Sequence, residues 1–304
     1  MRHAMFEATA DRIAEGFSWT ECPRWHEGRF VFSDMYNARV LALPPEGGTP
    51  ETLVDLSGRE GRDGEPVILV GTGFLPDGRM LVNSMFEKLV LAVDGGGAVT
   101  VHADLRDLAA GPINDMVVDA AGRAYVTQLG FNLWAQEAPA PSPILIVEPD
   151  GTARVATEAG ELMGANGIAI GADGSTVVTA EAFANRLTAF DVRPDGALTG
   201  RRVFAELDEL PDGMCMDADG AVWVAQPPAF RALRIVEGGE VTGRVTVPPE
   251  EAGSSTACGL GGPDRTTLYL CCGFEVFDWE ASRKGAQGSI WAARVDVSGG
   301  TTRP

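Results

Sequence analysis

Hydrophobic and polar residues alternate along this chain in short runs, and each run breaks at a turn rich in Asp and Gly. The pattern occurs six times. It reads WHEGRFVFSD around Gly28, LPDGRMLVNS around Gly78 and DAAGRAYVTQ around Gly122. It returns as GADGSTVVTAE around Gly174, DADGAVWVAQ around Gly220 and GPDRTTLYLCC around Arg265. Steps between the turn positions are 50, 44, 52, 46 and 45 residues. Period-2 alternation bounded by turn residues predicts strands. A unit of this length recurring along the chain predicts a closed repeat architecture, because one unit cannot bury its own faces.

The fourth copy shows the unit most plainly. It reads GIAI (167–170), a GADG turn, TVVTAE (176–181), the short loop FAN, RLTAFDV (186–192), an RPDG turn, and an outer strand in RRVFAEL. The fifth copy repeats this order with GMCM, AVWVAQ, RALRIVE and EVTGRVTV. Gly supplies positive φ at such tight hairpins, and Asp tolerates it. Four strands in each of six units predict an all-β, six-bladed β-propeller, a single domain over residues 1–304. The sixth unit stops at its third strand, SIWAARVDV (289–297), and the N-terminal segment FEATADRIAEGF has no unit of its own. That segment is expected to supply the missing outer strand, closing the ring and removing an open edge.

In such a ring the innermost strand of each blade lines the channel. Its start shares a face with the end of the second strand and the loop that follows. Asn114, Asn166 and Asp212 stand eight residues before their turns, and Glu21 seven. Residues at one position of a rotational repeat converge in space. Each also has a local reading: Asp212 in an LPDG turn, Asn166 in GANG, Asn114-Asp115 as a bulge, Glu21 as a surface carboxylate. The equivalent places in blades two and six carry Val70/Gly71 and Ala257/Cys258, so turn chemistry alone gives no reason for four oxygen donors. Two carboxylates with one or two amides form an all-oxygen set. It suits one divalent cation, Ca2+ first, then Mg2+ or Mn2+, with Zn2+ less favoured.

The second strands end at Asp34, Ser84, Gln128, Glu181, Gln226 and Cys272. Glu181 is read as a second acid/base or a hydroxyl-binding group, or else as a strand-end surface residue. The following loops bring Tyr36, Phe86, Trp134, Phe183, Phe230, Phe274 and Phe277 to the same face, and two of these loops, 130–143 and 273–288, are long. An apolar rim over a polar floor is the make-up of a small-molecule site.

The formal net charge of −19, from 24 basic and 43 acidic residues, argues against nucleic acid or an anionic membrane surface as partner. No apolar run approaches the ~20 residues of a membrane span, and the N-terminus lacks the apolar core of a secretory signal. Five cysteines, an odd number without zinc-ribbon spacing, point to reduced, buried thiols in a cytoplasmic protein. His3, His26 and His102 all fall away from the floor, so a Ser-His-Asp mechanism has little support. Nothing in the sequence indicates an oligomeric state.

The ordered set ECPRW (21–25), NDMVVDAAGRAYV (114–126), NGIAIGADG (166–174), AEAFANRLTAFDV (180–192), LPDGMCMDADGAVWVA (210–225) and LGGPDRTTLYL (260–270) resembles the senescence-marker protein/regucalcin, gluconolactonase and luciferin-regenerating-enzyme family over nearly the whole chain. The resemblance implies a divalent metal held by Glu21, Asn166 and Asp212, with Asp212 also the acid/base. It implies that Asn114 contacts substrate beside the metal. Asn132 falls where the sugar lactonases carry a further substrate-contacting acidic residue. Pro112 falls where they carry Arg, so a sugar lactone would lose a cationic donor for its hydroxyls. With Trp134 and Phe183 on the rim, the expected activity is metal-assisted hydrolysis of a lactone or related ester: the cation polarises the carbonyl, and Asp212 relays the proton of an activated water. The alternatives are a non-hydrolytic lyase, isomerase or cyclase, and a calcium-binding regulatory protein without turnover.

Overall fold

A computed structural model describes residues 5–301; residues 1–4, His3 among them, and 302–304 lie outside the described residues. The chain forms six sheets set around a ring, each built on four antiparallel strands and one of them joined by a fifth, a six-bladed β-propeller. Each blade runs from the channel outward. In blade four the order is Ala165–Ile170, Thr176–Glu181, Arg186–Val192 and Leu198–Glu206. The N-terminal segment, expected as one strand, divides between two sheets. Phe6–Thr9 lies parallel to Val241–Thr246 at the outer edge of blade five. Asp11–Phe17 pairs antiparallel with Gly288–Arg294 as the fourth strand of blade six.

The alternation of the sequence is the packing of the ring. Successive side chains of a strand point to opposite faces, and here both faces are buried. Val177 joins the apolar core between blades three and four, while Val178 joins the one between blades four and five. Ile168 and Ala169 divide the same way. One such core fills each of the six gaps between neighbouring blades. A seventh cluster, with Trp19, Met35, Tyr36, Met85 and Leu129, covers one end of the channel.

The innermost strands are interrupted where they line the channel. The pairing with the second strand slips between Glu21 and Arg24, Leu69 and Thr72, Ile113 and Met116, Ala165 and Ile168, and Ser255 and Ala257. A bulge re-aims side chains and ends regular pairing. Asn114 and Asn166 sit on these bulges, and Glu21 begins one. The Asn-Asp bulge reading and the channel-donor reading therefore describe one feature.

Candidate functional site

The four floor residues converge at one mouth of the channel. Glu21, Asn114, Asn166 and Asp212 line a single cavity of about 220 Å3, and side chains from all six blades contribute to its wall. Main-chain bonds within blade five and from it to blade six hold the floor in place. Asp212 N donates to Ala225 O at 2.9 Å, and Gly213 N donates to Thr256 O of blade six at 2.8 Å. Blades four and five approach so closely that a Cβ on Gly167 would stand 2.6 Å from the Asp212 carbonyl oxygen.

The two carboxylates are deeply buried and unusually basic. Burial raises Asp212 most, and the charge of Asp115 adds to it; hydrogen bonds from the Asn166 side chain and Gly213 N–H oppose the rise. Burial also raises Glu21 well above the carboxylate range, and the Asp212 charge adds to it, against bonds from Cys22 N–H and the Trp19 side chain. No Lys, Arg or His is among the described residues lining the cavity. Arg24, three residues after Glu21, is committed to other partners. Its guanidinium bonds Asp115 Oδ1 at 2.5 Å, Thr72 O at 2.7 Å, Met116 O at 2.6 Å and Pro23 O at 2.7 Å. Two buried carboxylates beside two carboxamides, without a protein cation facing them, are a donor set that fits a hard divalent ion. Glu21, Asn166 and Asp212 would hold it, with Asn114 beside it.

Above the floor the wall is apolar. Tyr36, Trp134 and Phe183 line the cavity, as do Met85, Leu133 and Leu210. The long loop of blade six crosses this mouth. Val276 enters the wall, and its carbonyl accepts from Tyr36 Oη at 2.7 Å and Trp134 Nε1 at 2.9 Å. Trp279 stacks on Tyr36 with ring centroids 5.9 Å apart and meets Phe86 at 5.3 Å. Phe86 thus backs the wall. Phe274 and Phe277 are exposed on the loop, Phe277 by 64%. Phe230 packs between blades five and six. It takes the left-handed position that closes a helical turn, where blades one and four have Ala38 and Asn185. Tyr36 and Phe183 lie two residues earlier, inside their turns, and reach the rim.

Two further expected residues do not line the cavity. Glu181 is enclosed by its own blade: Arg186 Nε and Nη2 reach it at 2.8 and 3.0 Å, Thr188 Oγ1 at 2.5 Å and Met163 N at 3.0 Å. Those bonds hold its carboxyl below the usual range, although burial, the largest single influence, acts in the opposite direction. Asn132 caps a turn, accepting from Ala135 N at 3.1 Å. His26 stacks flat on Phe74, with centroids 3.5 Å apart, beside the depression that also takes in Arg24, Val118 and Ala120.

Several wall residues escaped the sequence reading although a signal existed. Trp19, Leu210 and Ser254 line the cavity. Trp19 and Leu210 stand two residues before Glu21 and Asp212, and Ser254 three before Ala257, the corresponding place in blade six. Period 2 puts i and i−2 on one face, so Glu21 and Asp212 nominate their upstream neighbours for the wall, whereas Pro112 and Gly164, two before Asn114 and Asn166, do not line it.

Pentonolactonase XacC of Haloferax volcanii is 26% identical over 97% of this chain and 94% of its own. The 6-deoxy-6-sulfogluconolactonase of Pseudomonas putida is 25% identical over 92% of each. Among solved structures, a calcium-binding protein, regucalcin, from Agrobacterium tumefaciens superposes with a TM-score of 0.74 at 18% identity, covering 98% of this chain and 97% of that one. The profile of the SMP-30/Gluconolactonase/LRE-like region matches residues 19–273. With the six-bladed ring and its converging floor, that match shows that the chain belongs to the SMP-30/gluconolactonase/LRE-like family.

Proposed function

We propose that this protein is a metal-dependent hydrolase of a lactone or related ester, working in the cytoplasm on a small molecule. The observation that carries the reading is the floor. Glu21 and Asp212 are buried together, each raised in pKa, with no basic side chain among the described residues lining their cavity. A divalent cation, Ca2+ first among the hard ions, would supply the missing positive charge and Lewis acidity toward a carbonyl oxygen. The relatives named as lactonases, similar along more than nine-tenths of the chain, support the same reaction class. Five unpaired, buried cysteines support a reducing compartment.

The chain's own residues have separable tasks. Asp212 is the general base: it takes a proton from the attacking water, and as the ring C–O bond breaks it returns that proton to the leaving alkoxide. The Asn166 side chain, hydrogen-bonded to Asp212, fixes the orientation of that carboxylate. Glu21 supplies the second charge, and Asn114 offers an amide to the substrate. The apolar wall keeps bulk water from the reacting carbonyl.

The test is turnover of a lactone and ester panel with chelator present and then with metal restored. Hydrolysis that disappears on chelation, returns with metal, and is lost in Asp212→Asn supports the reading. Metal content unchanged in both Glu21→Gln and Asp212→Asn would overturn the ligand assignment.

A further inference from the structure

The floor is what the reaction needs; the wall above it decides what may enter. Its upper part is built by a segment that belongs to one blade and is fastened to two others. Phe274–Gln287 leaves blade six, and the Val276 carbonyl is bonded by Tyr36 of blade one and Trp134 of blade three. Arg283 Nη1 adds a bond to Tyr36 O at 3.2 Å, and Trp279 stacks beneath. Asp278 caps the short helix that follows, accepting from Ala281 N at 2.9 Å.

This fastening has a chemical consequence. Tyr36 Oη and Trp134 Nε1 are the polar ends of two cavity-lining aromatics, and both already donate to Val276 O. Of the seventeen lining residues, twelve are apolar or aromatic. The five polar ones are Glu21, Asn114, Asn166, Asp212 and Ser254. The first four form the floor, which leaves Ser254 as the one polar side chain off the floor among the described lining residues. A polyhydroxylated ring would place several hydroxyls against hydrocarbon. Each hydroxyl buried without a partner lowers binding by roughly ten- to a hundredfold. The volume of about 220 Å3 is also small, below the ~300 Å3 where drug-sized ligand pockets begin.

We propose that the Phe274–Gln287 strap, fastened by Tyr36 and Trp134 at the Val276 carbonyl, sets the substrate class: a lactone or ester whose non-reacting body is compact, uncharged and apolar. The inference rests on the hydrolase reading above and narrows it. It separates this chain from the sugar lactones named for its relatives.

The experiment compares kcat/KM for alkyl- and phenyl-substituted γ- and δ-lactones with that for gluconolactone and a pentonolactone, with metal supplied. The apolar lactones are expected to lead by about a hundredfold. Sugar lactones hydrolysed equally well or better would overturn the proposal. Tyr36→Phe and Trp134→Phe each remove one latch donor. Each is expected to reduce the apolar-to-sugar ratio by about fivefold, the equivalent of one hydrogen bond, with metal content unchanged. An unaltered ratio in both, in protein that still melts cooperatively, would remove the strap from the argument. If no lactone or ester is turned over, the hydrolase reading fails, and binding decides the rest. Quenching of tryptophan emission by an alkyl-substituted lactam but not by gluconolactam would sustain an apolar site. Saturable binding of gluconolactam, or of neither, would end it.

Discussion

The Thr127 hydroxyl lies 2.7 Å from the main-chain carbonyl of Asn166 and donates to it, across the gap between blades three and four. The same bond occurs at the equivalent place in the two preceding gaps. Ser33 Oγ donates to Val70 O at 2.5 Å, and Asn83 Nδ2 donates to Asn114 O at 2.7 Å. The second strand of one blade therefore pins the bulge of the next, and in two of the three gaps the pinned residue is a floor residue. Thr127 Oγ1 also accepts from Asp115 N at 3.0 Å.

Thr127→Val keeps the shape and removes both bonds. It leaves a buried carbonyl and a buried N–H without their partner, at about 1–3 kcal/mol each. Denaturant unfolding should show that loss of stability, and metal should be held more weakly because Asn166 is no longer fixed. Thr127→Ser, which restores the hydroxyl, should recover metal affinity. Equal metal affinity in the Val variant would show that the bond acts on the fold alone.

Gly167→Ala tests the closeness of blades four and five. The new Cβ would stand 2.6 Å from Asp212 O and 2.9 Å from Gly213 Cα, so the segment bearing Asp212 must shift. A displacement of about 1 Å at a catalytic group costs on the order of a hundredfold in rate. Activity should fall by that order. Gly58→Ala, where nothing stands within 4 Å, is the control and should leave activity intact. Full activity in Gly167→Ala would mean that Asp212 does not need its present position.

The ring and the floor were legible because both follow from periodicity. Six turns at near-constant spacing define the blades, and an oxygen donor at one offset from four turns defines the convergence. Side-chain direction at the end of the second strand was less accessible. Asp34, Glu181 and Gln226 end those strands, and Asp34 is one residue past Ser33, which pins the next blade. Each is tied by an Arg five residues on: Arg39 to Asp34 at 2.6 Å, Arg186 to Glu181 at 2.8 Å and Arg231 to Gln226 at 2.8 Å. That i, i+5 spacing is visible in the sequence and marks Glu181 as a loop clamp. The strap over the mouth could not be read this way. Its fastening is a main-chain carbonyl, which carries no side-chain signature, and the helix it precedes is a non-repeating insertion in blade six.

Arg24→Met should be among the most damaging substitutions outside the floor. It removes four hydrogen bonds and leaves Asp115 charged and buried without its partner. Breaking a buried ion pair from one side costs about 3–5 kcal/mol. Arg24→Lys should recover little, since one ammonium cannot reach carbonyls of Pro23, Thr72 and Met116 together with the carboxylate. The urea midpoint of both variants measures this; a Lys variant as stable as the parent would contradict the fork geometry.

Metal removal should make stability depend on pH with a definite sign. Glu21 and Asp212 have folded pKa values raised above their unfolded values, by burial first and then by neighbouring negative charge. The metal-free folded state therefore binds more protons than the unfolded chain over the window that starts near pH 4 and extends up to the raised values. The favourable contribution is complete below that window and is lost as pH climbs through it, by at most ~1.4 kcal/mol per pH unit for each proton. A bound divalent ion reverses the trend, because it stabilises both charged forms and displaces their protons. Thermal melts of chelated protein should thus fall from about pH 5 upward, and the gain on adding Ca2+ should grow over the same range. Asp212→Asn carries no charge at that position, so its chelated form should show a shallower slope and a smaller gain. A chelated parent whose stability is flat or rises across this window would show that the two carboxylates are not the buried, unpaired charges on which the metal assignment rests.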